Sequence, residues 1–331
     1  MLDYDKQDSE GELLCDVARS GKERDWKGRK AKNIILGQKF EELGYDRLAE
    51  KVFQCAEVLK FQKGSDGYLK LYQTWFCKNK LCPICNWRRS LKHSYQSSRV
   101  IDRALEEYPN ARFLFLTLTI ENVPSEFLND TLSDMSKAFH RLFNRKKIKR
   151  NILGFIRATE VTYNKKRDDY HPHIHVLLMV RSTYFKNKEN YLTHADWTNY
   201  WEESAKLNYR PVVDIRAVKS KIDDNGEDEG LHKAIKETAK YPVKPFDMDE
   251  EYQKLTRVQQ LKITKSLYEG LYRKRQIAYG GLLKVIKKEL ELDDVENGDL
   301  VNVADDEKVD TLGDYVIAKW DWRRWGYFIK K

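Results

Sequence analysis

Long apolar stretches are missing from this 331-residue chain. Its longest runs of such residues are far short of the roughly 20 needed to cross a bilayer, so no membrane role is expected. No basic segment leads into an apolar one at the start, which reads Met1-Leu2-Asp3-Tyr4-Asp5-Lys6. That is not a secretory leader, and a cytoplasmic location is expected. A Walker-type phosphate loop is also missing, so any unwinding of nucleic acid has to come from a partner. Cysteine is scarce: Cys15, Cys55, Cys77, Cys82 and Cys85. In a reducing compartment these do not make a disulfide framework, and their clustering points to a metal.

Charge is plentiful. Charged residues make up 34% of the chain, the formal net charge is +9, and the apolar fraction of 41% is enough for a core. The basic excess favours an anionic partner without identifying it. The length suits one large or two modest domains.

Residues 1–40 read as a poorly ordered polar arm. Its Lys27, Arg29, Lys30 and Lys32 suit either DNA contact or plain solvation. Residues 41–105 read as a helical, zinc-binding region. Tyr45, Leu48, Val52 and Leu59 recur at helical spacing over 42–60. Cys77, Cys82 and Cys85 follow a Cys-x4-Cys-x2-Cys pattern. A tetrahedral zinc needs a fourth ligand, for which Cys55 is the natural candidate and His93 the alternative. Arg88, Arg89 and Lys92 follow on a helix and could face phosphates or solvent.

Residues 106–250 read as an α+β domain. Strands are expected at 113–120, 152–163, 173–180 and 211–219, and helices at 131–143 and about 193–207. The short polar turn between the second and third strands favours an antiparallel sheet, with helices on one side. The run from Arg145, Lys146 and Lys147 to Arg150 is either a phosphate-facing patch or a solvated turn. Residues 251–331 read as a mostly helical C-terminal extension, a candidate for DNA or partner binding. Helices are expected at 230–241 and 255–270, and Gly280-Gly281-Leu282-Leu283 suggests a turn into an amphipathic segment. Residues 289–314 are strongly acidic and read as a solvated linker, before a stretch rich in Trp, Tyr and Arg from Trp320 to Lys331.

Two constellations carry chemistry. His171, His173 and His175 alternate along a strand and so share one face. Two neighbouring imidazoles make part of a divalent-cation site. Glu160 on the preceding strand could supply the third ligand, and His171 is the alternative. Glu237 and Tyr241 are four apart, hence on one helical face, with Lys233, Lys240 and Lys244 nearby. Lysines favour the phenolate of a tyrosine, whose pKa is ordinarily about 10. A packed tyrosine is the plain reading of the same residues.

In order along the chain, Phe115-Leu116-Thr117-Leu118-Thr119, Gly154–Asn164 with Arg157 and Glu160, His171-Pro172-His173-Ile174-His175 and Glu237–Lys244 resemble one family. It is the rolling-circle replication initiators of small Gram-positive plasmids (pUB110/pC194-like), within the HUH endonucleases. Phe76–Arg89 and Arg275–Leu283 are also similar to family segments. The resemblance implies an HUH domain with a central antiparallel sheet flanked by helices. It implies Mg²⁺ or Mn²⁺ on His173, His175 and Glu160, and structural Zn²⁺ on the cysteines. Tyr241 is then the nucleophile on origin DNA, single-stranded at the nick, with Glu237 activating water at termination and Lys244 beside it. Arg88, Arg89, Arg145, Lys146, Lys147, Arg157 and Lys240 are the DNA-contact candidates. A host helicase and polymerase are implied as partners, and an oligomer stays open. Pro242 departs from the small polar residue the family pattern leads one to expect. A relaxase or transposase of the same nuclease class, or a non-catalytic zinc-containing DNA-binding regulator, would share part of these features.

Overall fold

The computed structural model describes residues 11–219, 228–239, 254–303 and 311–330. In chain order, the first elements are α1 (Trp26–Glu42), α2 (Asp46–Gln54), β1 (Val58–Gly64), β2 (Leu69–Gln73) and α3 (Pro83–Glu107). Next come β3 (Arg112–Thr119), α4 (Leu128–Phe143), α5 (Lys146–Asn151), β4 (Ile152–Asn164), β5 (Asp169–Val180) and α6 (His194–Ala205). The last are β6 (Val213–Ala217), α7 (Glu229–Thr238), α8 (Arg257–Gly270), β7 (Ile277–Gly281), α9 (Leu282–Glu289), β8 (Thr311–Asp321) and β9 (Gly326–Ile329). No helix among the described residues is long and apolar enough to cross a membrane.

The chain forms two compact units. One comprises Met1–Arg88 with Asp299–Lys331, and the other Arg89–Gly298. The domain boundaries expected from the sequence therefore shift, because the chain leaves the first unit and returns to it at the end.

The first unit is built on an antiparallel sheet in the order β2-β1-β8-β9. Its inner face carries Leu59, Phe61, Leu71, Ala318, Trp320 and Tyr327, all buried. The expected polar arm is in part the helix α1, which buries Trp26, Ile34 and Phe40. Its lack of a clean apolar stripe has a physical cause: Lys30 and Asn33 are buried too. Their side chains donate to the carbonyls of Phe53, Cys55 and Val52. The helix expected over 42–60 ends at Gln54; Ala56 takes a left-handed φ of 53° and the chain turns into β1. The mostly helical C-terminal extension is also corrected, since β7 joins the large sheet while β8 and β9 belong to the small one.

The second unit holds an antiparallel sheet in the order β6-β3-β5-β4-β7. Helices cover both faces rather than one. Leu114, Leu116, Ile174, Val176 and Leu178 pack against Met135, Phe139 and Leu142 of α4 and Trp197 and Trp201 of α6. On the other face Phe113, Phe115, Ile156, Leu177 and Met179 meet Ile101 and Ala104 of α3, Leu231 and Ile235 of α7, and Leu283 and Ile286 of α9. Burial on both sides explains why β3 and the end of β5 are nearly continuous apolar runs. Gly281 has φ +58°, and a Cβ there would lie 2.4 Å from the Leu153 carbonyl oxygen, so the turn from β7 into α9 requires glycine.

Leu177 is fully buried on the middle strand. Leu177→Ala should destabilise this unit by about 2–5 kcal/mol. Val212, which is 72% exposed, should tolerate alanine within about 0.5 kcal/mol. Denaturant melts that fail to separate the two variants would show that the β5 core does not carry the fold.

Candidate active site and metal centres

Alternation along β5 places His171, His173 and His175 on the face that further along carries Leu177 and Met179. Pairing with β4 sets Glu160 directly opposite His173, and pairing with β3 sets Thr117 opposite His175. One carboxylate oxygen of Glu160 then lies 3.3 Å from His173 Nε2 and 3.2 Å from His175 Nε2. The far ring nitrogens are held as well. His175 Nδ1 is 3.1 Å from the Thr117 hydroxyl, and His173 Nδ1 is 3.3 Å from the His171 carbonyl.

A His173 ring that donates from Nδ1 to that carbonyl turns the lone pair of its neutral form, on Nε2, toward a carboxylate. That arrangement calls for a positive charge between them. Burial pushes the Glu160 carboxyl up, but the two histidines outweigh it and hold it down to about 2. Ligand atoms about 2.0–2.1 Å from one ion stand about 3.0–3.4 Å apart, and both distances from Glu160 to the histidines match that spacing. These residues therefore fit a divalent cation, with ligands from two paired strands and ring orientation set by Thr117 and the backbone.

His171, the alternative third ligand, is directed elsewhere: its Nδ1 lies 2.9 Å from Asn122 Oδ1. The group able to share one ion consists of Glu160, His173 and His175, without His171. The helix α7 packs Leu231, Ala234 and Ile235 over this same sheet face. Glu237 is half-buried in its last turn. The helix expected to reach 241 ends at Thr238, where the Ser90 hydroxyl donates to the Ala239 carbonyl at 2.6 Å. Tyr241, Lys240 and Lys244 lie outside the described residues.

The second centre lies in the other unit. Cys55, Cys77, Cys82 and Cys85 gather with sulfur separations of 3.6 Å for Cys55–Cys85, 3.7 Å for Cys55–Cys82 and 3.7 Å for Cys77–Cys85. A tetrahedron of thiolates at about 2.3 Å from zinc has edges of about 3.8 Å. Backbone N–H groups of Cys77 and Cys85 point at Cys55 and Cys82 sulfurs, both at 3.4 Å. Burial pushes the Cys55 and Cys77 thiols well up, so four thiolates at this place need a cation. The residues fit zinc, with Cys55 rather than His93 as fourth member. His93 is buried elsewhere, 3.2 Å from both the Tyr279 and Ser97 hydroxyls.

Several expected DNA contacts are instead occupied inside the protein. Arg88 donates to the carbonyls of Leu300 and Val301, and Arg89 to that of Glu296. Lys92 is buried against Asp293 at 2.6 Å. Arg145 pairs with Glu203 at 2.8 Å and lies over the Tyr200 ring. Lys146 is exposed and Lys147 half-exposed, as a phosphate contact requires. Arg157 stands on the sheet face opposite the histidines, over Phe139 and 3.3 Å from the Ser136 hydroxyl. The acidic stretch is in part structural rather than a linker: Glu296 accepts from the backbone N–H groups of Gln276 and Ile277, fixing the start of β7. Thr117 and Asn122 had no signal in the sequence as orienting groups, because only cross-strand register brings them to the histidines.

Residues 68–328 match the family model for "Replication protein" (Rep_1). The chain is 48% identical over 328 residues to a "Protein rep" of Streptococcus pneumoniae serotype 2, covering 98% of each. A "Protein rep" of Lentilactobacillus hilgardii is 44% identical, over 96% of this chain and 98% of that one. One from Bacillus amyloliquefaciens is 40% identical, over 93% and 94%. No solved structure matches the chain.

Two metal tests follow from the geometry. His173→Ala and His175→Ala should each abolish tight Mn²⁺ binding, with the double variant no worse than either. Thr117→Val should weaken it about 10–100-fold. Titration followed by paramagnetic resonance reads this directly, and unchanged binding in both histidine variants would remove the ion from this face. Separately, the purified chain should hold about one zinc, lost on Cys82→Ser or Cys85→Ser together with stability of the first unit. Elemental analysis finding no zinc in the native chain would leave the cysteines as packing residues.

Proposed function

Because the chain belongs to the replication protein family, we propose that it starts rolling-circle replication of a plasmid by nicking one strand of the origin. The observation that carries this reading is the convergence of Glu160, His173 and His175 on one sheet face, whose apolar part packs against the helix that carries Glu237. An antiparallel sheet with helices on both faces and a paired-histidine strand is the arrangement expected of an HUH endonuclease.

In this reading Glu160, His173 and His175 would hold a divalent cation beside the scissile phosphate. A bound Mg²⁺ or Mn²⁺ supplies polarisation of that phosphate and stabilisation of the charge that develops on it. Tyr241 attacks phosphorus through its phenolate oxygen, the bond to the 3′-oxygen breaks, and the leaving oxygen takes a proton. The products are a 5′-phosphotyrosine and a 3′-hydroxyl that a host polymerase can extend. The phosphodiester energy stays in the covalent link, so rejoining needs no ATP. Lys240 and Lys244 favour the phenolate and balance phosphate charge. At termination Glu237 takes a proton from water, or from the 3′-hydroxyl of the displaced strand, which then attacks the phosphotyrosine. The zinc centre, in the other unit, serves structure. Unwinding falls to a host helicase.

The test uses a labelled origin oligonucleotide, with adduct and released product followed separately on denaturing gels. Tyr241→Phe should give no covalent adduct while retaining DNA binding. An adduct that persists in this variant would place the attack on another residue. Glu237→Gln should form adduct yet release it roughly 100-fold more slowly, since termination, unlike the first cleavage, needs its carboxylate. Release at the wild-type rate would make Glu237 an ordinary helix-surface acid.

A further inference from the structure

The outer face of the small sheet has no part in the chemistry above. Alternation along its strands turns Lys60, Tyr72, Tyr315, Ile317, Lys319 and Phe328 away from the core. Tyr72 is 48% exposed and Tyr315 45% exposed, with ring centroids 5.0 Å apart. The Lys60 ammonium lies 4.0 Å from the Tyr315 ring centre and 5.1 Å from that of Tyr72. Two residues along β8, Ile317 is 38% exposed. Beyond it Lys319 pairs across strands with Phe328, on whose ring the Arg324 guanidinium rests at 3.5 Å. A cavity of about 560 Å³ opens beside this ring, lined among others by Lys319, Trp322, Arg323, Arg324 and Lys330. Asp321 is the carboxylate in that lining, and it is already paired with Arg324 at 2.8 Å.

A solvent-facing sheet surface ordinarily carries polar side chains. Here exposed rings alternate with cations. Rings on a sheet offer stacking to unpaired bases, and interleaved lysines and arginines offer pairing to phosphates. Duplex DNA keeps its base faces stacked inside, so rings disposed this way discriminate in favour of a single strand. We propose that this face binds single-stranded DNA. Bases stack on Tyr72 and Tyr315, while phosphates meet Lys60, Lys319 and the basic turn between β8 and β9, whose Arg324 already covers the Phe328 ring. The strand's identity as unpaired origin DNA rests on the initiator reading; the binding chemistry does not.

The experiment measures affinity of the full chain for fluorescent dT20, its duplex with dA20, and U20, by anisotropy across a salt series. Tyr72→Ser/Tyr315→Ser should weaken dT20 binding about tenfold, in line with stacking losses at such sites. Tyr72→Phe/Tyr315→Phe should stay within about twofold, since stacking needs the ring and not the hydroxyl. Lys319→Gln/Arg323→Gln should lower the salt slope by about one to two phosphate contacts. Unchanged dT20 affinity in a folded serine double variant overturns the proposal. So does a loss as large on the duplex as on dT20, or tighter binding of U20 than of dT20. Should the serine pair not fold, the phenylalanine pair and the salt slope still decide, because equal loss in the former or an unchanged slope in the latter counts against it. The dT20 assay needs no cleavage. A wild-type chain that fails to nick origin DNA thus speaks against the initiator reading alone.

Discussion

The pairing of β4 with β5 is the constraint on which the candidate active site depends. Glu160 faces His173 only because these strands run antiparallel in one register from Gly154 opposite Met179 to Asn164 opposite Asp169. A slip of one residue would carry Glu160 to the far face and leave two imidazoles without a carboxylate. The register is pinned from both sides. Val176 and Leu178 are committed to the core under α4 and α6, and Leu177 and Met179 to the core under α3, α7 and α9. Precision at the polar end of the hairpin thus derives from apolar packing at the other end.

Charge in this chain serves two separate purposes. Part of the basic excess is internal: Lys30, Arg88, Arg89 and Lys92 are all buried, with backbone carbonyls or Asp293 as partners. Leaving such groups unpaired in the interior would be expensive, so each stands where acceptors already point. The remainder, including Lys146, Lys319 and Arg323, stays exposed and available to an anionic partner. The two metal-fitting clusters differ in the same sense. Four thiols would leave a tetrahedral ion no further position, whereas one carboxylate and two imidazoles would leave a bound ion with open positions.

Both clusters were legible in the sequence because their ligands repeat at short spacings. Cys82 and Cys85 present two sulfurs from one turn, and His173 and His175 must share a face on any strand. The strands of the large sheet from β3 to β6 also announced themselves, through runs such as Phe113–Leu118 and through the alternation after Pro172. The helix α1 did not, because its buried face includes Lys30, Asn33 and Lys39, and the first two are satisfied by carbonyls elsewhere in the chain. Nor did β7, which is short, contains Gly280 and Gly281, and is held by Glu296 from beyond the next helix.

By itself, then, the sequence determined ligand types, the strand face of the histidines and the spacing of Glu237 from Tyr241, all of which follow from local backbone periodicity. Only the tertiary structure decided between partners distant along the chain. It brought Glu160 to the histidine pair and turned His171 to Asn122, and it chose Cys55 over His93. It withdrew Arg88 and Arg89 from the DNA candidates and returned residues 311–330 to the first unit's sheet. Each choice depends on cross-strand register or burial, and neither is set by the residues on one side of a contact alone.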